Sequence, residues 1–249
     1  MKTEGTNYYQ TEGIIIKRDP YRENSLFCRS LTRDYGIISL VARGVFNEKS
    51  SFTGLLEPFS QIQMELYRTQ KTQIYTMRTA HPIKIHLQKV RYRDALLAHA
   101  AAELLFQIEY IIGESADYYD LLIEYLNYLS RSEYHPFLIF IRFITRLLIL
   151  LGISLEMTCT RCRKHQFSYF FPQEDGFLCN LCHRPVLSDN LLKLKPETVA
   201  ILDNIYRLKE IQNQDITGEI VEEIKNIILI HLANHYNKQF HLKSLNDYR

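Results

Sequence analysis

The chain has 249 residues, of which 46% are hydrophobic and 23% are charged, with only 9 glycines and 7 prolines. This composition excludes collagen-like, low-complexity and disordered chains, because there is enough apolar mass to bury a core. The apolar runs 137–141 and 147–151 are far shorter than the ~20 residues that span a membrane. The polar N-terminus lacks the apolar stretch of a secretory signal. We therefore expect a soluble, cytoplasmic protein with no membrane partner.

Charge is distributed unevenly along the chain. Residues 1–93 hold 15 Lys and Arg against 8 Asp and Glu, a net charge of +7, whereas residues 94–249 hold 15 against 20, a net charge of −5. Such an asymmetry favours contact between the first part and a polyanion. A moderately basic surface without a partner is the alternative.

The first 80 residues have the pattern of short strands. Alternation is clearest where Ile62, Met64 and Leu66 are separated by polar residues. The predicted strands are 11–17, 25–32, 37–43, 60–68 and 73–80. Five short strands in this length favour an OB-type barrel over residues 1–82, with an open sheet or an SH3-like barrel as alternatives.

From residue 90 onward the apolar residues follow helical spacing. We predict helices at 95–112, 117–130, 136–151, 196–206 and 217–236. Pro136 fits the first turn of the third helix and Gly152 its end. The third helix is apolar nearly all round, which indicates a central position. The fold class is thus α+β, with a helical domain over 83–157 and 188–249.

The strongest single motif is a pair of Cys-x-x-Cys turns, Cys159/Cys162 and Cys179/Cys182. Sixteen residues separate the two turns, which is the spacing of a two-knuckle zinc site. Each turn directs two thiolates at one point, so the four sulfurs close a tetrahedron about 2.3 Å from the ion. The alternating apolar residues between them, followed by Asp175-Gly176, predict a β-hairpin. We therefore predict an inserted module over 158–187 that holds a structural Zn²⁺.

Other uses of these cysteines and of nearby histidines are less favoured. Two disulfides would be unusual in a reducing cytosol, and a redox pair is a further alternative. His165 or His183 could replace a thiolate, although each neighbouring cysteine fits better. His231 and His235 stand four apart on one helical face and could bind metal, but such pairs are more often part of a core and a solvated surface.

Several motifs of catalysis are absent from the sequence. It contains no Gly-rich phosphate loop, no Gly-x-Ser-x-Gly elbow and no His-Glu-x-x-His. A shell of four cysteines leaves no open position for a catalytic zinc. We therefore expect that the protein is not an enzyme.

Two stretches resemble the RecO family of DNA repair and recombination mediators. One runs from EGIIIKRDPYRENSLFCRSLTRDYGIISLVARGV to GLLEPFSQIQMELY, and the other is LLILLGISLEMTCTRCRKHQFSYFFPQEDGFLCNLC. Besides the four cysteines, the residues that carry the resemblance are Gly13, Thr32, Gly36, Gly44, Leu56, Pro58-Phe59 and Leu151-Gly152. The resemblance implies an OB-fold, a helical domain and a zinc module. It also implies binding of single- and double-stranded DNA, annealing, and loading of RecA onto strands coated by single-strand binding protein, with a RecR-type partner.

The basic residues of the barrel are the candidates for phosphate contacts, with bases stacking on Phe46 or Tyr67. The candidates are Lys17, Arg18, Arg43, Lys49, Arg68 and Lys71. Alternatively, each of these residues is a solvated surface charge that makes no DNA contact. The rival class of function is a zinc-bearing protein–protein adaptor whose barrel does not bind nucleic acid.

The acidic helical part is a poor DNA surface and is expected to bind protein partners. The resemblance points to the acidic, apolar-ended tail of single-strand binding protein, with Arg131, Arg142 and Arg146 as anchors. An unpaired cation on the apolar third helix would be costly. The alternative is that Arg142 and Arg146 pair internally with Glu103 or Glu109.

Overall fold

A computed structural model describes residues 6–47, 50–88, 90–109, 113, 116–184, 190–211 and 214–248. Strands and helices are both present, which confirms the α+β class. The chain divides into two compact units: residues 1–91 with 105–130, and residues 92–104 with 131–249. Among the described residues, no helix combines the length and the apolar character needed to cross a bilayer.

Five strands of the first unit close into a barrel. They are β1 (Thr6–Tyr21), β2 (Ser25–Thr32), β3 (Gly36–Arg43), β4 (Ser60–Thr69) and β5 (Tyr75–Ile85). Their order is β1-β2-β3-β5-β4, and β4 pairs back with β1. All of these pairs are antiparallel except β3–β5, in which Leu40 lies beside Tyr75 and Val41 beside Thr76. The alternating side chains of β4 point Ile62, Met64 and Leu66 into a core where each is nearly or fully buried.

Strand β1 closes the barrel because its two halves pair with different neighbours. Residues 6–14 pair with β4 and residues 13–21 with β2, with an irregularity in register between Ile15 and Lys17. Gly13 belongs to both ladders, where a Cβ would lie 2.4 Å from Met64 Cε and 2.6 Å from Ser30 Oγ. Only glycine fits this crossing without displacing its neighbours. The double pairing also explains why β1 extends beyond the predicted residues 11–17.

Helix α1 (Tyr92–Gln107) and helix α2 (Ala116–Arg131) follow the barrel. The sequence grouped α2 with the other helices, whereas the division into units places it with the barrel. Tyr119 of α2 donates a hydrogen bond to Glu12 (3.2 Å) and accepts one from Gln61 (3.1 Å). Arg33 lies 3.2 Å from Asp120. These contacts hold α2 against the outside of the barrel.

The second unit is built on an apolar helix. Helix α3 (Pro136–Leu150) begins with proline in its first turn and His135 as its cap, and most of its residues are buried. Gly152 follows with a φ of +73°, which suits the left-handed residue after a helix end. The later helices are α4 (Pro196–Asp203), α5 (Leu208–Ile211) and α6 (Gly218–Tyr236), and a 3₁₀ turn covers Lys243–Asn246.

Candidate metal centre and nucleic-acid interface

The segment between α3 and α4 contains a small sheet built on aromatic residues. Strands β6 (Tyr169–Phe171), β7 (Gly176–Leu178) and β8 (Leu192–Lys193) pair in the order β7-β6-β8. Phe167, Phe170 and Phe177 are buried together with Leu202 of α4 and Ile227 of α6. The pairing of β6 with β7 confirms the predicted hairpin.

Two tight backbone turns position the cysteines. In the first, the Arg163 amide donates to the Cys159 carbonyl (2.8 Å) and the Cys159 amide to the Lys164 carbonyl (2.9 Å). In the second, the His183 amide donates to the Cys179 carbonyl (3.1 Å). Each turn brings the two thiols of one Cys-x-x-Cys pair to the same side.

The four thiol sulfurs of Cys159, Cys162, Cys179 and Cys182 all lie within 4.8 Å of one another. The separation between Cys162 Sγ and Cys179 Sγ is 3.8 Å. Four sulfurs about 2.3 Å from a tetrahedral zinc ion would stand about 3.8 Å apart, whereas bonded sulfurs are about 2.05 Å apart. The donor set and its spacing therefore fit a metal ion, and four protein ligands would fill its shell.

Backbone amides favour ionised thiols at this cluster. Burial works against ionisation of Cys159, but amide hydrogen bonds from Cys162, Cys179 and Arg161 lower its pKa to about 6. The amides of Cys182 and Leu181 likewise lower the pKa of Cys179. The Cys182 thiol, which donates to Cys179, has its pKa raised to about 12. A divalent cation bound by the four sulfurs would displace the protons that remain on the thiols.

The hairpin turn is tied to the first cysteine pair by side chains. Glu174 accepts hydrogen bonds from Thr160 (3.0 Å) and from Arg161 (2.7 Å). Arg161 also donates to the carbonyl of Cys182 (3.3 Å), next to the second pair. The His183 ring stacks on Tyr169, with 4.0 Å between ring centroids. The four-thiol cluster itself includes neither His183 nor His165.

The outer face of β1, β2 and β3 carries rows of residues that the strand register brings side by side. Lys17 lies opposite Arg29, and Arg29 lies opposite Ser39. At the other end of the same face, Ser25 lies between Tyr21 and Arg43. The row between these two contains Asp19, Phe27 and Val41. The face is thus a mixed surface of basic, aromatic and small residues.

Three of the predicted DNA-contacting residues lie on the β1–β3 side of the barrel. The Lys17 side chain is 58% exposed and 3.2 Å from Asp19. Arg18 is partly exposed and lies 2.7 Å from Glu57. Arg43 is exposed at the end of β3. Lys49 falls outside the described residues.

The remaining two candidates lie near the turn between β4 and β5. The Arg68 guanidinium is half-buried above the ring of Tyr75, 4.8 Å from its centroid, and also faces Tyr9. Lys71 is exposed in the turn. The structure therefore places the candidates on both sides of the β2–β3 face and does not gather them at one point.

Aromatic residues lie on the barrel near both groups of basic residues, and some of them were not identified from the sequence. Phe46 is 57% exposed after β3, whereas Tyr67 on β4 lies opposite Tyr8, which is 68% exposed. Arg78 lies above the Tyr8 ring and Arg22 above the Tyr21 ring. The predicted first strand began only at residue 11, so the sequence analysis did not place Tyr8 on the barrel.

One part of the β2–β3 face is already covered. Arg29 forms an ion pair with Glu109 and lies 5.3 Å from the centroid of the Phe106 ring. A negative side chain and an aromatic ring from the end of α1 and the segment after it thus occupy the region around Arg29. The exposed part of the face is the half that carries Tyr21 and Arg43.

The predicted anchors for a protein partner lie in the second unit. Arg142, Arg146 and Ile149 follow one face of α3 at helical spacing, and Ile149 is 49% exposed. Burial raises the pKa of Tyr206, and the charges of Arg142 and Arg146 oppose that rise. Tyr206 is 54% exposed, and both guanidinium charges act on its hydroxyl. This set is a basic surface with apolar neighbours.

Glu103 and Glu109, which were considered as internal partners of Arg142 and Arg146, each have a contact outside α3. Glu109 pairs with Arg29, and Glu103 accepts hydrogen bonds from the amide (3.2 Å) and the hydroxyl (2.9 Å) of Ser244. Arg131 is exposed in the last turn of α2 and does not share the α3 face.

Comparison with known proteins matches both parts of the chain to one family. The family described as "Recombination protein O N terminal" matches residues 6–86, and "Recombination protein O C terminal" matches residues 95–245. A protein of Rubrobacter xylanophilus named DNA repair protein RecO is 24% identical over 91% of this chain and 92% of its own length. The protein of the same name from Bacillus subtilis is 24% identical over 87% of this chain and 85% of its own. That from Bifidobacterium longum subsp. infantis is 28% identical over 70% and 74%, respectively.

Proposed function

The chain belongs to the RecO family and its role lies in DNA repair and recombination; we propose that it acts as a DNA-binding recombination mediator. In this proposal it binds single- and double-stranded DNA and anneals complementary strands. With a RecR-type partner, it helps to load RecA onto DNA coated by single-strand binding protein. It performs this work in the cytoplasm at the nucleoid, and it does so by binding alone, without enzymatic turnover.

The first support for DNA binding is the topology of the barrel, which we assign to the OB type. The order β1-β2-β3-β5-β4 and the parallel contact of β3 with β5 are those of a five-stranded Greek-key barrel. Barrels of this type bind oligonucleotides across strands 2 and 3, between the β1–β2 and β4–β5 turns. Here Arg22 follows β1 and Lys71 follows β4, so both turns carry a cation.

The observation that carries the proposal is the exposed half of the β2–β3 face. Arg43 is an exposed cation there, and Tyr21 and Phe46 are exposed rings. Lys17, at the other end of the face, also has solvent access. Cations track a phosphate backbone and rings stack on bases, which together bind single strands with little sequence preference. Arg68, which lies above the Tyr75 ring, would add a further phosphate contact near the turn between β4 and β5.

We assign the four-cysteine cluster to a structural zinc ion. Cys159, Cys162, Cys179 and Cys182 would hold it, and their closed shell leaves no position for substrate. The ion would cross-link the two Cys-x-x-Cys turns, which belong to a module built on a small three-stranded sheet. Arg161 and Glu174 support the same turns from outside the shell.

The basic and apolar surface on α3 is our candidate site for the tail of single-strand binding protein. Arg142 and Arg146 would pair with the acidic residues of the tail, while Ile149 and Tyr206 would contact its apolar end. Arg131 would extend the basic surface from the end of α2.

A salt titration tests the proposal and distinguishes it from the adaptor alternative. Fluorescence anisotropy of labelled single-stranded DNA should show affinity that falls steeply between about 50 and 200 mM salt, because phosphate contacts release counterions. Two labelled complementary strands should anneal faster with the protein than without it. If neither strand type binds at low salt while the protein remains folded, the chain is an adaptor and the DNA proposal is wrong.

A further inference from the structure

Asp175, His231 and His235 form a second cluster of possible metal ligands, distinct from the four cysteines. Asp175 lies in the turn between β6 and β7, and the two histidines lie four residues apart on α6, so they share a helical face. Asp175 Oδ2 is 2.9 Å from His231 Nδ1 and 3.0 Å from His235 Nε2. The three ligand atoms all lie within 4.8 Å of one another.

The surroundings of His231 determine which of its nitrogens faces the cluster. The His231 side chain is only 2% exposed, and its Nε2 lies 2.7 Å from the carbonyl oxygen of Ile153. A carbonyl oxygen can only accept, so Nε2 carries a hydrogen. In neutral His231 the lone pair is therefore on Nδ1, where it faces a carboxylate oxygen. Nδ1 is therefore the atom of His231 that could ligate a metal ion beside the Asp175 carboxylate, 2.9 Å away.

Asp175 is held in a fixed orientation. Asn234 donates from Nδ2 to Asp175 Oδ1 (3.1 Å) and to the carbonyl of Pro172 (2.8 Å), which fixes the carboxylate against α6. Metal-ligating histidines and carboxylates are usually oriented by hydrogen bonds with groups that do not touch the ion. Here the Ile153 carbonyl has this position for His231, and the Asn234 side-chain amide has it for Asp175.

We propose that Asp175, His231 and His235 bind a divalent transition-metal ion such as zinc. Two imidazoles and one carboxylate suit Zn²⁺, Co²⁺ or Ni²⁺, whereas Mg²⁺ and Ca²⁺ prefer shells made of oxygen alone. Ligands about 2.0–2.1 Å from a tetrahedral ion stand about 3.3 Å apart. The measured separations are a few tenths of an ångström shorter, so a small movement of the side chains would admit the ion.

The proposed site differs from the four-cysteine cluster in having an open position. His235 is 38% exposed and Asp175 is 22% exposed, so a fourth ligand from solvent can reach the ion. The ion would also join the hairpin turn to α6. Asp175 follows Glu174, whose contacts reach Thr160 and Arg161 beside the first cysteine pair. The two metal sites would therefore stabilise opposite sides of one hairpin.

Cobalt titration of the zinc-loaded full-length protein tests this inference. Starting from protein with one zinc per chain and no free metal, CoCl₂ should be taken up to one further equivalent, followed by visible absorption and calorimetry. MgCl₂ should give no such uptake. Cobalt that replaced zinc at the four cysteines would show thiolate-to-cobalt charge-transfer absorption. Uptake at the two sites can therefore be distinguished. If the second site already holds zinc, the purified wild type contains two zinc ions per chain.

Variants identify the ligands. His235→Ala should abolish the additional equivalent or lower two zinc ions to one, whereas His81→Ala, at an exposed histidine of the barrel, should leave it unchanged. Asn234→Ala should weaken cobalt about 10- to 100-fold, as expected for the loss of an outer contact. Circular dichroism checks that each variant is folded.

The inference is overturned if the one-zinc wild type takes up no cobalt at millimolar concentration, or if folded His235→Ala takes it up equally. The three side chains then only hold the hairpin turn against α6.

Discussion

The four-cysteine cluster and the barrel face acquire their geometry in different ways. The cysteines are positioned by turns of a few residues, in which the amides of Arg163 and His183 close on the carbonyls of Cys159 and Cys179. The barrel face depends on the register of strands far apart in sequence, such as Tyr67 opposite Tyr8. A metal shell is thus specified by local spacing, whereas a nucleic-acid surface is specified only once the whole barrel has closed.

This difference implies that the two sites fail independently and by different changes. Removing one ligand should eliminate the metal without altering strand register, and a fault in the barrel core should impair DNA binding without changing the metal content. The predictions below test that independence, beginning with the largest effect.

Cys179→Ser should lower the zinc content by one ion per chain relative to the wild type. Structural zinc contributes about 10–16 kcal/mol of apparent binding free energy in small modules, so losing one thiolate removes much of the stability of the hairpin. Elemental analysis and limited proteolysis of the segment 158–184 measure both effects. DNA affinity should stay within about twofold, since the barrel strands pair among themselves.

Cys28→Ala provides the matched control for a lost thiol. Cys28 is fully buried in the barrel core, where burial raises its pKa to about 12, so it stays a thiol through neutral pH. Its removal should leave the zinc content unchanged. A zinc content in Cys179→Ser equal to that of the wild type, or a loss of zinc in Cys28→Ala, would contradict the assignment of the ligands.

Gly13→Val should destabilise the barrel by about 1–3 kcal/mol, the usual cost of overpacking a core. The added side chain meets Met64 and Ser30 at the point where β1 changes partners. Urea denaturation measures the loss, and DNA binding should fall with the fraction of folded barrel while zinc content remains. Gly218→Ala, at a helix start with nothing within 4 Å of the added carbon, should be neutral or slightly stabilising.

The sequence predicted well where the cause is local. The Cys-x-x-Cys spacing, the hairpin turn at Asp175-Gly176 and the first turn of α3 at Pro136 all follow from a few neighbouring residues. The positions of the barrel strands were also accessible in outline, because alternation such as that of Ile62, Met64 and Leu66 persists over a whole strand.

The sequence could not reveal features that depend on distant pairing. Nothing near residues 6–10 indicates that Tyr8 extends β1, because the cause is the ladder with β4. The ion pair between Arg29 and Glu109 was equally inaccessible to sequence analysis, and it changes which part of the face is exposed. The approach of Asp175 to His231 likewise required the hairpin and α6 to be placed together.

Reversing two charges on the barrel face should weaken DNA binding moderately. Lys17→Glu with Arg43→Glu is expected to lower the affinity for single strands about tenfold at low salt. The slope of log affinity against log salt should decrease by about 1.4, at about 0.7 per phosphate contact on single strands. Anisotropy titrations with several sequences should show the same loss for all, because phosphate contacts carry no sequence information.

Lys209→Glu is the control for this change, since Lys209 is an exposed cation on α5 in the other unit. It should leave both the affinity and the salt slope near the wild-type values. An equal loss in Lys209→Glu would show that net charge alone matters. Unchanged affinity in the folded double variant would move the DNA path away from the exposed half of the β2–β3 face.

The smallest expected effect concerns the surface on α3. A peptide with acidic residues and an apolar end should bind the wild type at micromolar strength. Replacing both Arg142 and Arg146 with Ala should weaken the peptide about 3- to 10-fold, because partly exposed ion pairs contribute little each. Calorimetry in low salt measures the change. The apolar contact with Ile149 and Tyr206 accounts for the remaining affinity.

Two further measurements separate a binding role of these arginines from a structural one. Lys193→Ala, at an exposed cation on β8, should leave peptide affinity unchanged. A peptide whose acidic residues are replaced by amides should bind wild type and the double arginine variant equally, because it has no charge for Arg142 or Arg146 to attract. If the double variant is folded and still distinguishes the acidic peptide from the amide peptide as wild type does, the two arginines serve the packing of α3 and the tail binds elsewhere.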